Sequence, residues 1–386
     1  MMTKVEVKPS VLQWAMKRAD RLDKLKDQFP HIDKWISQES QPTLKQLEKL
    51  AKATSIPLGY FFLPNPPEEK LSIPHYRTVR DEGAVQPSPN LLETVQTMER
   101  RQQWMRDYLI QHGHPPLNYV GRANLSTDPK LVAQTMRETL GLESDWASKQ
   151  PNWQEALRNL IKKIEDIGII VVINGVVGNN THRKLDVAEF RGFVLIDDYA
   201  PFIFVNGRDG KAAQMFTLAH ELAHVWYGAS AVFDLANLQP ADIEIESVCN
   251  QAAAEFLAPE DEVLHLWKRV GTSDDRFKQI ARYFKVSEIV AARRTLDLNL
   301  ITKEEFFSFY EAYVKRLRQE AEEMKTEGGG NFYATQNMRI GRRFAEAVIR
   351  AAKEGTILYR EAYRLTGLSG NTFDKFAEYV DAGRSV

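Results

Sequence analysis

The chain has 386 residues, a length that suggests two or three domains, and 43% of them are apolar, ample for packed cores. The formal charge of −1 excludes a chain that binds polyanions through its overall charge. Residues 1–65 carry +4 and residues 331–386 carry +3, however, so basic ends flank an acidic centre and permit terminal nucleic-acid contacts.

The single cysteine, Cys249, excludes an internal disulfide and fits a reducing cytosol. No apolar run approaches the about 18 residues of a membrane span, and no apolar signal core is visible. The expectation is a cytoplasmic protein without a membrane segment.

Residues 10–64 read as a bundle of short helices. Val11, Leu12, Ala15, Ala19 and Leu22 follow helical spacing, and Ile32, Trp35 and Ile36 make a second apolar face. Thr43 is placed to cap a helix that buries Leu44, Leu47, Leu50 and Ala51. The order Trp14, Trp35, Gln41 to Lys52 and then Pro57 to Pro64 resembles an Xre-type helix-turn-helix domain. Such domains set a recognition helix in the major groove of DNA. Lys17, Arg18, Arg21, Lys24 and Lys26 are candidate phosphate contacts, set against a merely solvated face. The segment between the two tryptophans is short for the pattern, and no glycine marks the turn. Protein–protein contact is therefore an alternative to DNA binding.

Prolines at 64, 66, 67, 74, 87 and 89 make residues 64–90 a linker region. Helices are expected near 90–112, 128–140 and 152–167, the last ending at Gly168. The period then changes. Ile169 to Ile173 is a β-branched run, and further strands are expected over 189–196 and 201–206. An edge strand of such a sheet can pair with an extended peptide.

The most informative stretch follows. Phe216 to His224 carries an H-E-x-x-H pattern in an apolar helical run that begins near Gly210, with Asp209 as a candidate cap. His220 and His224 are four residues apart, so both imidazoles leave one helix face. That suits two nitrogens on one tetrahedral Zn2+, with Glu221 as general base toward water. Two core histidines beside a capping glutamate is the bland alternative. A catalytic zinc needs a third protein ligand. Residues 242–259 read as a second helix, where Glu246 is the preferred ligand, Glu244 competes and Glu255 is a further candidate. Asn250, one turn beyond Glu246, can orient a ligating histidine. Tyr227, three residues past His224, is a candidate oxyanion donor.

After Pro259, helices are expected near 260–270 and 274–285, with another from Glu288; Ile280 to Ser287 and that helix resemble a helix-turn-helix pair. A charged helix over 303–326 ends at Gly328 to Gly330. Beyond it, 335–353 reads as one helix, followed by 358–365, a turn at Gly367 and 372–379. Arg339, Arg342, Arg343 and Arg350 are candidate phosphate contacts there.

The run Phe216 to His224, the Glu246 to Asn250 spacing and Ala253 to Pro259 together resemble the ImmA/IrrE family of zinc metallo-endopeptidases. The resemblance is specific over about 165–260 and looser to either side. It implies a gluzincin-like core and cleavage of helix-turn-helix repressors in stress, phage or mobile-element circuits. The expected fold is α+β and mostly helical. An Xre-like helix-turn-helix domain is expected over 1–65 and a helical connector over 66–126. A metallopeptidase domain with a small β-sheet would cover 127–300, and a C-terminal helical domain 301–386. The partners expected are a repressor or antitoxin as protein substrate, DNA, and a toxin. The rival reading is a non-catalytic DNA-binding regulator, or the antitoxin of a toxin–antitoxin pair.

Overall fold

The computed structural model describes residues 4–19, 22–54, 56–68, 87–229, 231–233, 244–323 and 331–383. They divide into two units, one formed by the N-terminal helices through Val95 and one by the chain from Gln96 onward. Helices dominate, with a small mixed sheet in the second unit, so the class is α+β.

The first unit packs α1 (Pro9–Arg18), α2 (Leu22–Gln28), α3 (Ile32–Ile36) and α4 (Leu44–Thr54) with a 3-10 turn at Leu58–Phe62. Val11, Leu12, Ala15, Leu47, Leu50 and Phe61 are fully buried at its centre. The start of α4 is a reciprocal cap. Gln46 Oε1 accepts from the Thr43 backbone N–H at 2.8 Å, and Thr43 Oγ1 accepts from Gln46 N–H at 3.3 Å. The segment expected as a recognition helix is the five-residue α3, whose Ile32 and Trp35 are buried. Few of its side chains are left to read a groove. Lys17 is exposed, and the Arg18 guanidinium lies 5.6 Å from the Trp14 ring centroid. Arg21, the Lys24 side chain and Gly328 to Gly330 fall outside the described residues.

After α5 (Pro89–Gln111), the second unit contains α6 (Pro129–Leu140), α7 (Trp153–Asp166), β1 (Ile170–Asn174), β2 (Val176–Val177), β3 (Asn180–Lys184), β4 (Gly192–Leu195) and β5 (Phe202–Asn206). Then follow α8 (Lys211–Tyr227), β6 (Ala231–Phe233), α9 (Glu244–Leu257), α10 (Glu260–Val270), α11 (Arg276–Phe284), α12 (Glu288–Asp297) and α13 (Lys303–Glu323). The C-terminal helices are α14 (Phe332–Ile340), α15 (Arg342–Lys353), α16 (Tyr359–Thr366) and α17 (Asn371–Asp381). No helix among the described residues is long and apolar enough to cross a membrane.

The main sheet has the order β1-β5-β4-β6. β1 runs parallel to β5, with Ile170 opposite Phe202, while β4 is antiparallel to both β5 and β6. β1, β4 and β5 are buried along their whole length, which explains their near-continuous apolar sequences. α8 packs on β4 and β5, with α6, α7 and α9 also against it. From Gln214 to Tyr227 every one of its side chains is buried. This is why the helix is apolar nearly all round rather than striped.

Three expectations are corrected here. The residues over 335–353 form two helices, not one. Gly341 breaks them with φ +88°, and a Cβ there would sit 2.9 Å from Val171 O. The chain turns sharply because it must pass close to the β1 backbone. Asp209 does not cap α8; the cap position is Gly210, and the Asp209 carboxylate pairs with Arg191 Nη1 at 2.5 Å. Arg342 and Arg343 do not line an open phosphate-contacting face. Arg342 lies 2.7 Å from Asp166 and 3.4 Å from Glu165, and the Arg343 side chain is partly buried.

Glu165 is the centre of that arrangement. Its carboxylate accepts from the Arg343 N–H at 3.1 Å, at the start of α15, where no side chain of that helix supplies a cap. Burial pushes its pKa up to about 7, against the opposing pull of the Arg343 N–H and the Arg342 guanidinium. A carboxyl whose folded value lies above its unfolded value of about 4.3 keeps its proton longer in the native state. The stability that this carboxyl contributes, on the order of 3 kcal/mol, should be full below about pH 4 and be lost as the pH rises through about 7. Urea unfolding between about pH 5 and 8 should show this slope, and Glu165→Gln should flatten it. An equal slope in the variant would contradict the assignment.

Candidate metal centre

Two helices build the site. His220, Glu221 and His224 belong to α8 and are all fully buried. Glu246 comes from the first turn of α9, its side chain 16% exposed. Each end of this pairing is anchored. Gly228, in the left-handed region, closes α8 immediately after Tyr227. The far end of α9 is held by Arg137, whose Nη1 donates to Glu255 O at 2.7 Å, and by the buried ion pair of Arg294 with the Glu255 carboxylate. Glu255 is thus occupied elsewhere, and Glu244 is exposed. The three acids considered for the third position separate cleanly.

The Nε2 atoms of His220 and His224 are 3.0 Å apart. Glu246 Oε2 is 3.2 Å from the first and Oε1 is 3.4 Å from the second. Donor atoms on a tetrahedral zinc at about 2.0–2.1 Å would be separated by about 3.3–3.4 Å. The three nearest separations lie close to that value, two of them reaching different oxygens of Glu246, and one ligand atom from each residue lies within 4.8 Å of the others. The chemistry matches too, because burial lowers the His220 pKa, keeping the ring neutral with a lone pair to give. Burial would raise Glu246, but the two imidazoles outweigh it and hold the carboxyl below its ordinary range. Two imidazole nitrogens and a carboxylate gathered at one point are a donor set that a divalent cation takes, so the residues fit a bound metal ion.

Glu221 is the neighbouring residue, and both of its carboxylate oxygens are buried without a hydrogen-bond partner among the described residues. Burial first, then the charge of Glu246, raises its pKa well above the usual carboxylate range. The two acids of the site are therefore driven apart, one held ionised and the other ready to carry a proton. Asn250, one turn beyond Glu246 on α9, lies near enough to His220 to raise its proton affinity against the larger effect of burial. The Tyr227 hydroxyl is buried without a partner among the described residues, and burial pushes its pKa up to about 12. Cys249 is fully buried one turn from Glu246, and burial raises its pKa as well. A thiol held neutral in this way is a packing residue, not a nucleophile.

Gly192 was not singled out by sequence. A Cβ on it would lie 2.6 Å from Thr217 Cγ2, 2.9 Å from Phe204 O and 3.0 Å from Glu221 Oε1. β4 can approach α8 only because this position has no side chain. The signal was present as a glycine within an apolar strand, which marks close backbone approach. The outer strand beside β4 is also new: β6 pairs with it, Val232 opposite Phe193. The edge next to the site is therefore formed by a segment following α8, and not by the strands foreseen from sequence.

Comparison with known proteins gives two family matches. Residues 340–379 match a domain of unknown function, and residues 164–296 match the M78 peptidase family model, described as the IrrE N-terminal-like domain. No curated protein matches the chain. The second match spans the two histidines, Glu221, Glu246 and all four strands of the main sheet, and it supports a metallopeptidase domain of the ImmA/IrrE type in this part of the chain.

Proposed function

We propose that the chain is a zinc-dependent endopeptidase that cleaves a regulatory protein of the helix-turn-helix repressor class. The observation that carries this reading is the convergence of His220, His224 and Glu246 on one point, beside the Glu221 carboxylate, which has no hydrogen-bond partner among the described residues. Zinc held by those three side chains would polarise the scissile carbonyl, activate a water molecule and supply positive charge that favours the ionised form of Glu221.

The remaining steps fall to the protein. Glu221 takes a proton from the attacking water as the water oxygen bonds to the carbonyl carbon. It then gives that proton to the amide nitrogen as the C–N bond breaks, and the carboxylate is restored. Asn250 would help to orient the His220 ring from α9. Tyr227 keeps its hydroxyl proton at neutral pH and is the candidate donor to the carbonyl oxygen. An extended substrate backbone would add to the outer edge of β6, or take the place of β6 on β4.

The choice of a repressor as substrate rests on the ImmA/IrrE resemblance. The N-terminal unit, with its Xre-like order of short helices, would recruit the substrate, a toxin or DNA. Its short α3 favours protein contact over groove reading. The setting would be a cytoplasmic stress, phage or mobile-element circuit. The test is incubation of the purified full chain, loaded with zinc, with the repressor encoded beside it. Cleavage at one site, lost on chelation and restored by zinc, is expected by mass spectrometry. Operator binding or toxin neutralisation without any cleavage would favour the non-catalytic regulator instead.

A further inference from the structure

A second concave site lies well apart in sequence from the metal-binding residues. It is a cleft of about 460 Å³, lined by Asn179 and Thr181 of the β2–β3 hairpin, by the α14 face, and by the α16–α17 turn. The volume lies in the range of small-molecule sites. The hairpin is tied to the opposite wall by Asn179 Nδ2, which donates to Gly367 O at 3.2 Å, so the cleft is pre-formed. It sits where the IrrE-like match and the match of unknown function meet: Asn179 and Thr181 belong to the first, Gly367 to Thr372 to the second.

α14 presents Phe332, Gln336 and Arg339 to this space at i, i+4 and i+7, one helix face. Each is left over by the fold. Arg339 is partly buried, and no carboxylate among the described residues pairs with its guanidinium. Its other structural contact is through its backbone oxygen, which accepts from Arg101 Nη1 at 3.1 Å. Gln336 is only 2% exposed and closes the cleft behind Phe332 and Arg339, its Oε1 sealed in without a hydrogen-bond partner among the described residues. Phe332 is 50% exposed at the cleft.

We propose that this cleft binds a nucleoside monophosphate, with the phosphate on Arg339 and the base against Phe332. An unpaired guanidinium in a partly dry site, beside the hydroxyls of Thr181, Ser369 and Thr372, selects a compact multidentate anion. The exposed phenyl ring gives a planar base a surface to stack on. Free phosphate would leave most of the cleft empty.

The four common ribonucleoside monophosphates should be titrated calorimetrically into the full chain, with adenosine and inorganic phosphate as separate probes. At least one monophosphate should bind with a Kd of about 1 mM or tighter, and its parent fragments at least tenfold more weakly. Arg339→Met should weaken that binding at least tenfold, and Arg339→Lys less. Phe332→Ala removes only an exposed ring, so it should leave unfolding unchanged while weakening binding several-fold. No binding of any monophosphate, equal binding of inorganic phosphate, or affinity unchanged in both Arg339→Met and Phe332→Ala would overturn the proposal.

Discussion

Glu221→Gln should leave zinc bound at the wild-type level and slow peptide cleavage by about 10²- to 10⁴-fold, the range expected when a positioned general acid–base is removed. The substitution is nearly isosteric, and Glu221 makes no hydrogen bond among the described residues, so little structural cost is expected. Glutamine removes only the ability to carry a proton. The comparison is best made by single-turnover cleavage with metal content measured on the same preparation. Substrate binding should survive in the variant, which separates loss of chemistry from loss of recognition. A cleavage rate within about threefold of wild type would remove Glu221 from the proton-transfer role.

The second large effect is on stability. Arg294→Met should destabilise the unit that holds the metal residues by about 3–5 kcal/mol, because it strands the Glu255 carboxylate inside the protein. Both partners are only 7% exposed, and Arg294 Nε also donates to Ala258 O at 3.0 Å, just past the end of α9. The same helix carries Glu246, so loosening its far end should also weaken metal binding. Adding Glu255→Leu to Arg294→Met should recover much of the loss, since replacing both charges leaves none unpaired. A loss below about 1 kcal/mol in the single variant, measured by urea unfolding, would show that this pair does not hold α9.

The parts of the site legible in sequence were those set by local geometry. Two histidines four apart must share a helix face, whatever the rest of the chain does. Glu246 was reachable by a chemical requirement, the third ligand, together with the absence of helix breakers around it. What could not be read was set by distant partners. Arg342 and Arg343 look like any basic pair on a helix, and only the packing of α7 beside α15 gives Arg342 the carboxylates of Glu165 and Asp166. The break at Gly341 is hidden for the same reason, because the apolar spacing runs through it and the bend comes from contact with β1. The β2–β3 hairpin escaped notice because Asn180 to Lys184 is polar and mostly exposed, with no alternating pattern to betray a strand. β6 has three residues and carries too little periodicity to be recognised.

The site also shows why composition alone misleads about function. A formal charge near zero conceals a half-buried Arg339 without an acid partner among the described residues, and carboxyls pushed toward neutrality at Glu165 and Glu221. These are features of placement, and none follows from residue counts.

The most direct measurement is the zinc content of the purified full chain, by elemental analysis after dialysis against metal-free buffer. About one zinc per chain is expected for the wild-type protein, with a large loss in Glu246→Ala and in His220→Ala at unchanged helical content. A chain that takes up no zinc when it is supplied, or that binds it equally well in both variants, would contradict a metal centre built from His220, His224 and Glu246.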